Sequence, residues 1–170
     1  MQRIFTLVLS AVAFLIIQTY AFAGEHKTGT FGLGWYSQTA PVGGRAWITP
    51  QIGVDLGLGY ADKNTLGTDN DRIHVNIGVP VDVVQTDRVN FFIRPGYELQ
   101  TNSRTVNGEL KSTSIITADL GVEWFVTDAF SLSAGHGLEV KQVDGSDDWG
   151  ISALRALSFE NVGFHFYFIK

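Results

Sequence analysis

Four histidines are the first candidates for proton-transfer chemistry in this chain of 170 residues, because imidazole titrates nearest neutrality. A hydrolytic site would set a nucleophilic serine within reach of such a base and an acid behind it. The histidines stand in His26-Lys27-Thr28, His74-Val75-Asn76, His136-Gly137-Leu138 and His165-Phe166-Tyr167, and none has a serine two residues on. Two loop-like stretches, Asp69-Asn70-Asp71 and Asp144-Gly145-Ser146-Asp147-Asp148, are rich in oxygen donors but lack the calcium-loop spacing with its terminal acid. No catalytic, cofactor-binding or metal-ligating residue is therefore assigned, and no cofactor is expected. What remains is a set of opposite charges: Arg45, Arg72, Arg94, Lys141 and His74 against Asp55, Asp82, Glu98, Asp119, Glu123 and Glu139. Their chemistry is that of salt bridges, if the chain brings them to one place.

The elements that position them are strands. Ile52, Val54, Leu56, Leu58 and Tyr60 alternate with Gly53, Asp55, Gly57 and Gly59, and period-two alternation gives a strand with one apolar and one small or polar face. Three tight turns contain Thr followed by Pro or Asp: Thr49-Pro50, Thr86-Asp87 and Thr127-Asp128. Longer polar connections, Ser37 to Gly44, Asp62 to Asp71, Thr101 to Lys111 and Val143 to Gly150, alternate with them. The strands expected in between run over Thr30 to Tyr36, Arg45 to Ile48, Ile52 to Ala61, Arg72 to Val84, Val89 to Gln100, Ser112 to Val126, Phe130 to Gln142 and Ile151 to Ile169. An even number of antiparallel strands, with short turns at one end and long loops at the other, is the pattern of a transmembrane barrel. The expected fold is thus all-β, an eight-stranded antiparallel up-and-down transmembrane β-barrel over residues 24–170.

The N-terminus sets the compartment. Arg3, the apolar stretch Ile4 to Ile17 and the Ala21-Phe22-Ala23 site read as a cleavable secretory signal peptide over residues 1–23. The mature part, about 147 of the 170 residues, suits one domain. With no cysteine, an exported chain of this size must be held by its own hydrogen-bonded architecture. Charged residues are 17% of the chain, below the roughly 25% of soluble domains, so a conventional solvated surface is in short supply. The net charge is −5, and no basic cluster interleaved with aromatics speaks for nucleic acid.

A soluble lipocalin-like barrel also alternates, with its apolar face inward, so the polar face decides. In Thr117, Asp119, Gly121, Glu123 and in Ser131, Ser133, Gly135, Gly137, Glu139, Lys141, that face is small and sparsely charged with both signs. A solvated face would carry many long Lys and Glu side chains. Small residues suit the crowded interior of an eight-stranded barrel. By parity the charges named above share that interior, where they would pair into a polar plug. Trp35, Tyr36, Trp47, Tyr60, Phe91, Tyr97, Trp124, Phe130, Phe164, Phe166 and Phe168 fall near strand ends, where interfacial girdles sit. His74 and His165 fall on the inward register. His136 falls on the outward one, near mid-strand, unless a bulge at Gly135 or Gly137 turns it inward.

Over its whole mature length the chain resembles the small outer-membrane β-barrels of OmpA/OmpX type. The most specific piece is Asn161-Val162-Gly163-Phe164-His165-Phe166-Tyr167-Phe168. Asn161, Gly163, Phe166 and Phe168 look like the terminal signal read by the outer-membrane assembly machinery, although Ile169-Lys170 extend past the aromatic end. The resemblance implies a bacterial outer-membrane location, insertion by that machinery, contact with lipid and lipopolysaccharide, and a narrow or closed pore in a monomer. Related barrels include structural, adhesive and enzymatic members, so it implies no single activity. The expected role is structural or surface-interacting. A lipid A-modifying enzyme is the rival, followed by a soluble periplasmic binding barrel. A lipid A deacylase would want the His and Ser two apart that are missing. For a palmitoyltransferase-like lateral entry, Pro80 and Pro95 matter: counting from a Val84–Val89 pair sets Pro80 against Ile93 and Pro95 against Gly78, each removing a ladder donor from one hairpin. A bulge that shapes the wall is the simpler explanation.

Overall fold

Alternating side chains build strands here from end to end. A computed structural model describes residues 28–35, 39–62, 70–106, 109–145, 149–152 and 162–168, and they contain ten strand segments. These are β1 (Phe31–Trp35), β2 (Val42–Trp47), β3 (Gly53–Ala61), β4 (Arg72–Gly78), β5 (Val81–Gln85), β6 (Val89–Val106), β7 (Glu109–Thr127), β8 (Phe130–Val143), β9 (Trp149–Ser152) and β10 (Val162–Phe168). β4 and β5 form one stave interrupted at Val79-Pro80, and β9 and β10 both pair with β8, so the wall has eight staves. Each stave is antiparallel to its neighbours. β10 pairs with β1 through Phe31↔Phe168, Leu33↔Phe166 and Trp35↔Phe164, which closes the barrel and leaves no sheet edge there. The signal peptide expected over residues 1–23 and Asn161 lie outside the described residues.

Burial follows parity. In β3, Gly53, Asp55, Gly57 and Gly59 are buried while Val54, Leu56, Leu58 and Tyr60 are exposed. In β10, Gly163, His165 and Tyr167 are buried while the flanking phenylalanines are not. Several connections are shorter than expected. β2 begins at Val42, and β6 and β7 run on to Val106 and from Glu109 across a polar stretch. Ladder hydrogen bonds need no apolar side chains, so this hairpin continues past the end of the alternation, with a register shift between Gln100 and Arg104 and Asn102 at φ 49°.

The proline hairpin departs from the expected register. Gln85 pairs with Asn90 and Val84 with Phe91, because the turn is tighter than counted, with the Thr86 N–H donating to the Val89 carbonyl at 3.0 Å; a bulge between Asp82 and Val84 then moves the register back by one. Gly78 pairs with Gly96 and Val81 with Ile93. Pro95 therefore sits opposite Val79, whose N–H donates to the Pro95 carbonyl at 2.9 Å. The Gly53 N–H donates to the Pro80 carbonyl, also at 2.9 Å. A residue's N and O point to the same neighbouring strand, so the two missing donors fall on different seams. Pro95 withdraws one from β4–β6 and Pro80 one from β3–β5. Pairing resumes on both sides of each.

Candidate functional site

The inward side chains of β2, β3, β6 and β7 meet around one carboxylate. Arg45 and Asp55 are cross-strand partners, and Arg45 Nη2 donates to Asp55 Oδ2 at 3.0 Å. From the opposite side Arg94 donates through Nε to Asp55 Oδ2 at 3.0 Å and through Nη2 to Oδ1 at 2.5 Å. Arg45 Nη1 also reaches Glu123 Oε2 at 3.1 Å. Arg94 Nη2 donates to Asn76 Oδ1, and its Nη1 stands 3.7 Å from Asp119 Oδ2. The side chains of Asp55 and Glu123 are 0% exposed and that of Arg45 is 3%. Ions this deep persist because each finds opposite charge and hydrogen bonds together.

Glycine and aromatic residues make room for that network. A Cβ on Gly78 would overlap the Arg94 guanidinium, so the bare backbone lets the arginine lie flat against the wall and reach Asp55. Phe92 is paired with Gly121, where a Cβ would overlap its ring. The Arg45 guanidinium lies 5.9 Å from the Trp47 ring centroid and 5.7 Å from that of Phe92, within cation–π range. Trp47, expected in an outer girdle, is 1% exposed inside the barrel. Its parity is that of Arg45, and parity overrides its position near a strand end.

Toward the short turns a second group continues the first. Glu123 Oε1 accepts from Ser131 Oγ at 2.5 Å and from Tyr167 Oη at 2.8 Å, and His165 Nδ1 stands 3.4 Å from both Ser131 Oγ and Glu123 Oε1. The chain thus does bring a serine, a histidine and an acid together, across three staves, where no local motif announces it. Ser131 is 0% and His165 1% exposed, and the serine hydroxyl donates to Glu123 instead of presenting itself to a substrate. The group pins β7, β8 and β10 together. Nearby, Asp82 Oδ2 accepts from Gln85 at 2.9 Å and from Asn90 at 2.8 Å, and Gln85 also donates to the Pro50 carbonyl at 2.8 Å.

Toward the long loops the network continues with more exposed members. Glu98 accepts from Gln100 at 2.6 Å and stands 3.7 Å from His74 Nδ1. Lys141, 45% exposed, bonds the buried Glu139 at 2.6 Å. Arg72 is half-buried on the inward register and makes no ion pair among the described residues. No group of three potential metal ligands occurs among the described residues. Parity marks the charged members. The neutral Asn76, Asn90, Ser131 and Tyr167 and the apolar Phe92 and Ile115 share the same parity, whereas Gln85 is out of step with Asp82 and turned inward by the bulge between them; all are equally part of the interior.

The architecture defines a closed eight-stranded antiparallel β-barrel whose interior is occupied by ion pairs and hydrogen bonds. Compared with models of protein families, with curated proteins and with solved structures, the chain matches none.

Proposed function

We propose that this barrel is an integral protein of the bacterial outer membrane, with a structural or surface-interaction role and a lumen closed to ion flow. The inside-out distribution of side chains carries the proposal. Ile151, Val42, Leu120 and Tyr60 point outward at 78, 71, 66 and 66% exposure, while Glu123, Asp55 and Arg45 point inward at 0, 1 and 2%. A water-soluble barrel would reverse that preference, because apolar surface is driven out of water and ions are costly to bury. On β7 the outward apolar residues run from Trp124 to Ile116. At about 3.4 Å per residue and a strand tilt of about 40° they span roughly 21 Å of depth, close to the apolar band of membrane barrels.

Outward Phe31, Phe130, Phe164, Phe166 and Phe168 gather at the closing seam, with Phe130 and Phe166 rings 4.9 Å apart. Gly163, Phe166 and Phe168, expected in the terminal assembly signal, lie on β10, and the partners of the protein on this proposal are the assembly machinery, outer-membrane lipid and lipopolysaccharide. The Arg45–Asp55–Arg94–Glu123 network fills the middle of the lumen, which supports a non-conducting barrel. Export to the outer-membrane fraction, a need for detergent or lipid to remain folded, and an absence of steps in planar-bilayer recordings are the expected results. A folded, monodisperse protein in detergent-free buffer would remove the membrane role.

A further inference from the structure

The stave that closes the barrel is bare on its inner side. β1 is five residues long, and its inward positions are Gly32 and Gly34. It pairs with β10 over five positions and with β2 over four, and it sends no side chain of its own into the interior network. Gly32 faces Arg45 on β2 and Tyr167 on β10, so the three lie in one row across the closing seam. A Cβ on Gly32 would stand 2.7 Å from the Tyr167 ring, and one on Gly34 would run into the β10 backbone at Phe164 and His165. The missing side chains thus let β10 come close and let the tyrosine ring lie against β1.

Over this bare stave passes an ion pair. Arg45 is fastened to its own side of the seam by Asp55 on the adjacent β3, at 3.0 Å, and reaches Glu123 of β7 at 3.1 Å on the other side. Glu123 is held ready by Tyr167 of β10 at 2.8 Å and Ser131 of β8 at 2.5 Å, both on the opposite oxygen from Arg45. We propose that the Arg45–Glu123 pair is a clasp for the closing seam, tying the first hairpin to the last staves so that the β1–β10 ladder and this ion pair form and part together. If the seam opens, β2 carries Arg45 away from the wall that holds Glu123. A buried carboxylate and a buried guanidinium then lose each other, which is far costlier than parting ladder bonds that water can replace. Tyr167 and Ser131 act as positioning residues, because they fix the carboxylate that Arg45 must meet. The clasp follows from barrel closure alone and operates alike in lipid and in water.

Amide hydrogen exchange of the full-length barrel in phospholipid vesicles, read peptide by peptide, tests the clasp. The measure is exchange in β1 and β10 relative to the β3–β4 ladder from Leu58↔Val75 to Ala61↔Arg72. Glu123→Gln should raise that ratio about tenfold to hundredfold, the worth of one hydrogen bond between charged groups. Asp55→Asn makes the same carboxylate-to-amide change beside the same arginine, but on its own side of the seam, and should leave the ratio near that of the native barrel. Tyr167→Phe keeps every charge paired and should raise the ratio more weakly, which keeps the test open if Glu123→Gln fails to fold by unboiled gel mobility. The chain has no cysteine, so a disulfide between Leu33→Cys and Phe166→Cys, outward partners across the seam, can be added cleanly and should cancel the effect of Glu123→Gln or Tyr167→Phe. A ratio unmoved by both variants, or moved equally by Asp55→Asn, overturns the proposal. A barrel that stays folded and monodisperse in detergent-free buffer would refute the membrane role, and the same ratios measured there would still decide the clasp.

Discussion

Asp55 is the joint of the interior network, and replacing it by asparagine removes one charge while keeping its shape. It receives Arg45 at 3.0 Å and Arg94 at 2.5 to 3.1 Å. At about 3 Å and an effective dielectric of about 20, each attraction is worth about 5 kcal/mol before desolvation. Not all of that is lost. Arg45 keeps Glu123 at 3.1 Å, Arg94 keeps Asn76 and a more distant Asp119, and the introduced amide oxygen can still accept one bond. The expected destabilisation is therefore the cost of leaving buried guanidinium charge under-compensated, about 3 to 5 kcal/mol. Urea titration of the barrel refolded in lipid vesicles, followed by tryptophan emission and by unboiled gel mobility, measures it. Adding Arg94→Gln removes the orphaned charge, so the double variant should lose less than the sum of the singles by about 0.5 to 3 kcal/mol. An Asp55→Asn barrel within about 0.5 kcal/mol of the native one, or strictly additive losses, would mean that these ions do not hold the interior together.

The remaining tests concern orientation, packing and closure. Leu120→Arg places a cation on the outward face at a residue 66% exposed; it should cost about 2 to 4 kcal/mol in vesicles, whereas a water-facing wall would tolerate it within about 0.5 kcal/mol. Gly121→Val drives a side chain into the Phe92 ring and should destabilise by about 1 to 3 kcal/mol, with Phe92→Ala recovering part of the loss in a combined urea titration. Gly78→Ala displaces the Arg94 guanidinium, so its effect should largely overlap with that of Asp55→Asn in the same double-variant comparison; full additivity speaks against the seat assigned to Arg94. In planar bilayers the native barrel should give no steps, and Arg45→Ala/Arg94→Ala, which empties the middle of the lumen, should give stepwise cation current. A conducting native barrel contradicts closure by the network.

How far the interior is legible in the sequence depends on what parity can carry. Parity assigns a face, and alternation alone puts Arg45, Asp55, Asp119 and Glu123 on the inside. It puts Trp47 there as well, against the nearness to a strand end that points to a girdle. Parity says nothing of height or of position around the wall, which come from register, and register here is set by a turn tighter than counted, closed at Thr86 and Val89, and then moved by the bulge between Asp82 and Val84. For that reason the proline pairings counted from the turn are shifted, and the Ser131–His165–Glu123 group, drawn from three staves, has no signature in the sequence. The glycines make the same point energetically. As composition they look like small filler for a narrow barrel, yet Gly78 lies under Arg94 and Gly121 faces Phe92. Each is the small half of a small–large pair across a seam. An interior built this way reaches close packing without being uniformly small. The same alternation leaves His136 outward beside Gly135 and Gly137. There, too, the face is readable from the sequence, while the unbroken register with Leu120 that keeps the ring outward needs the paired strands to be seen.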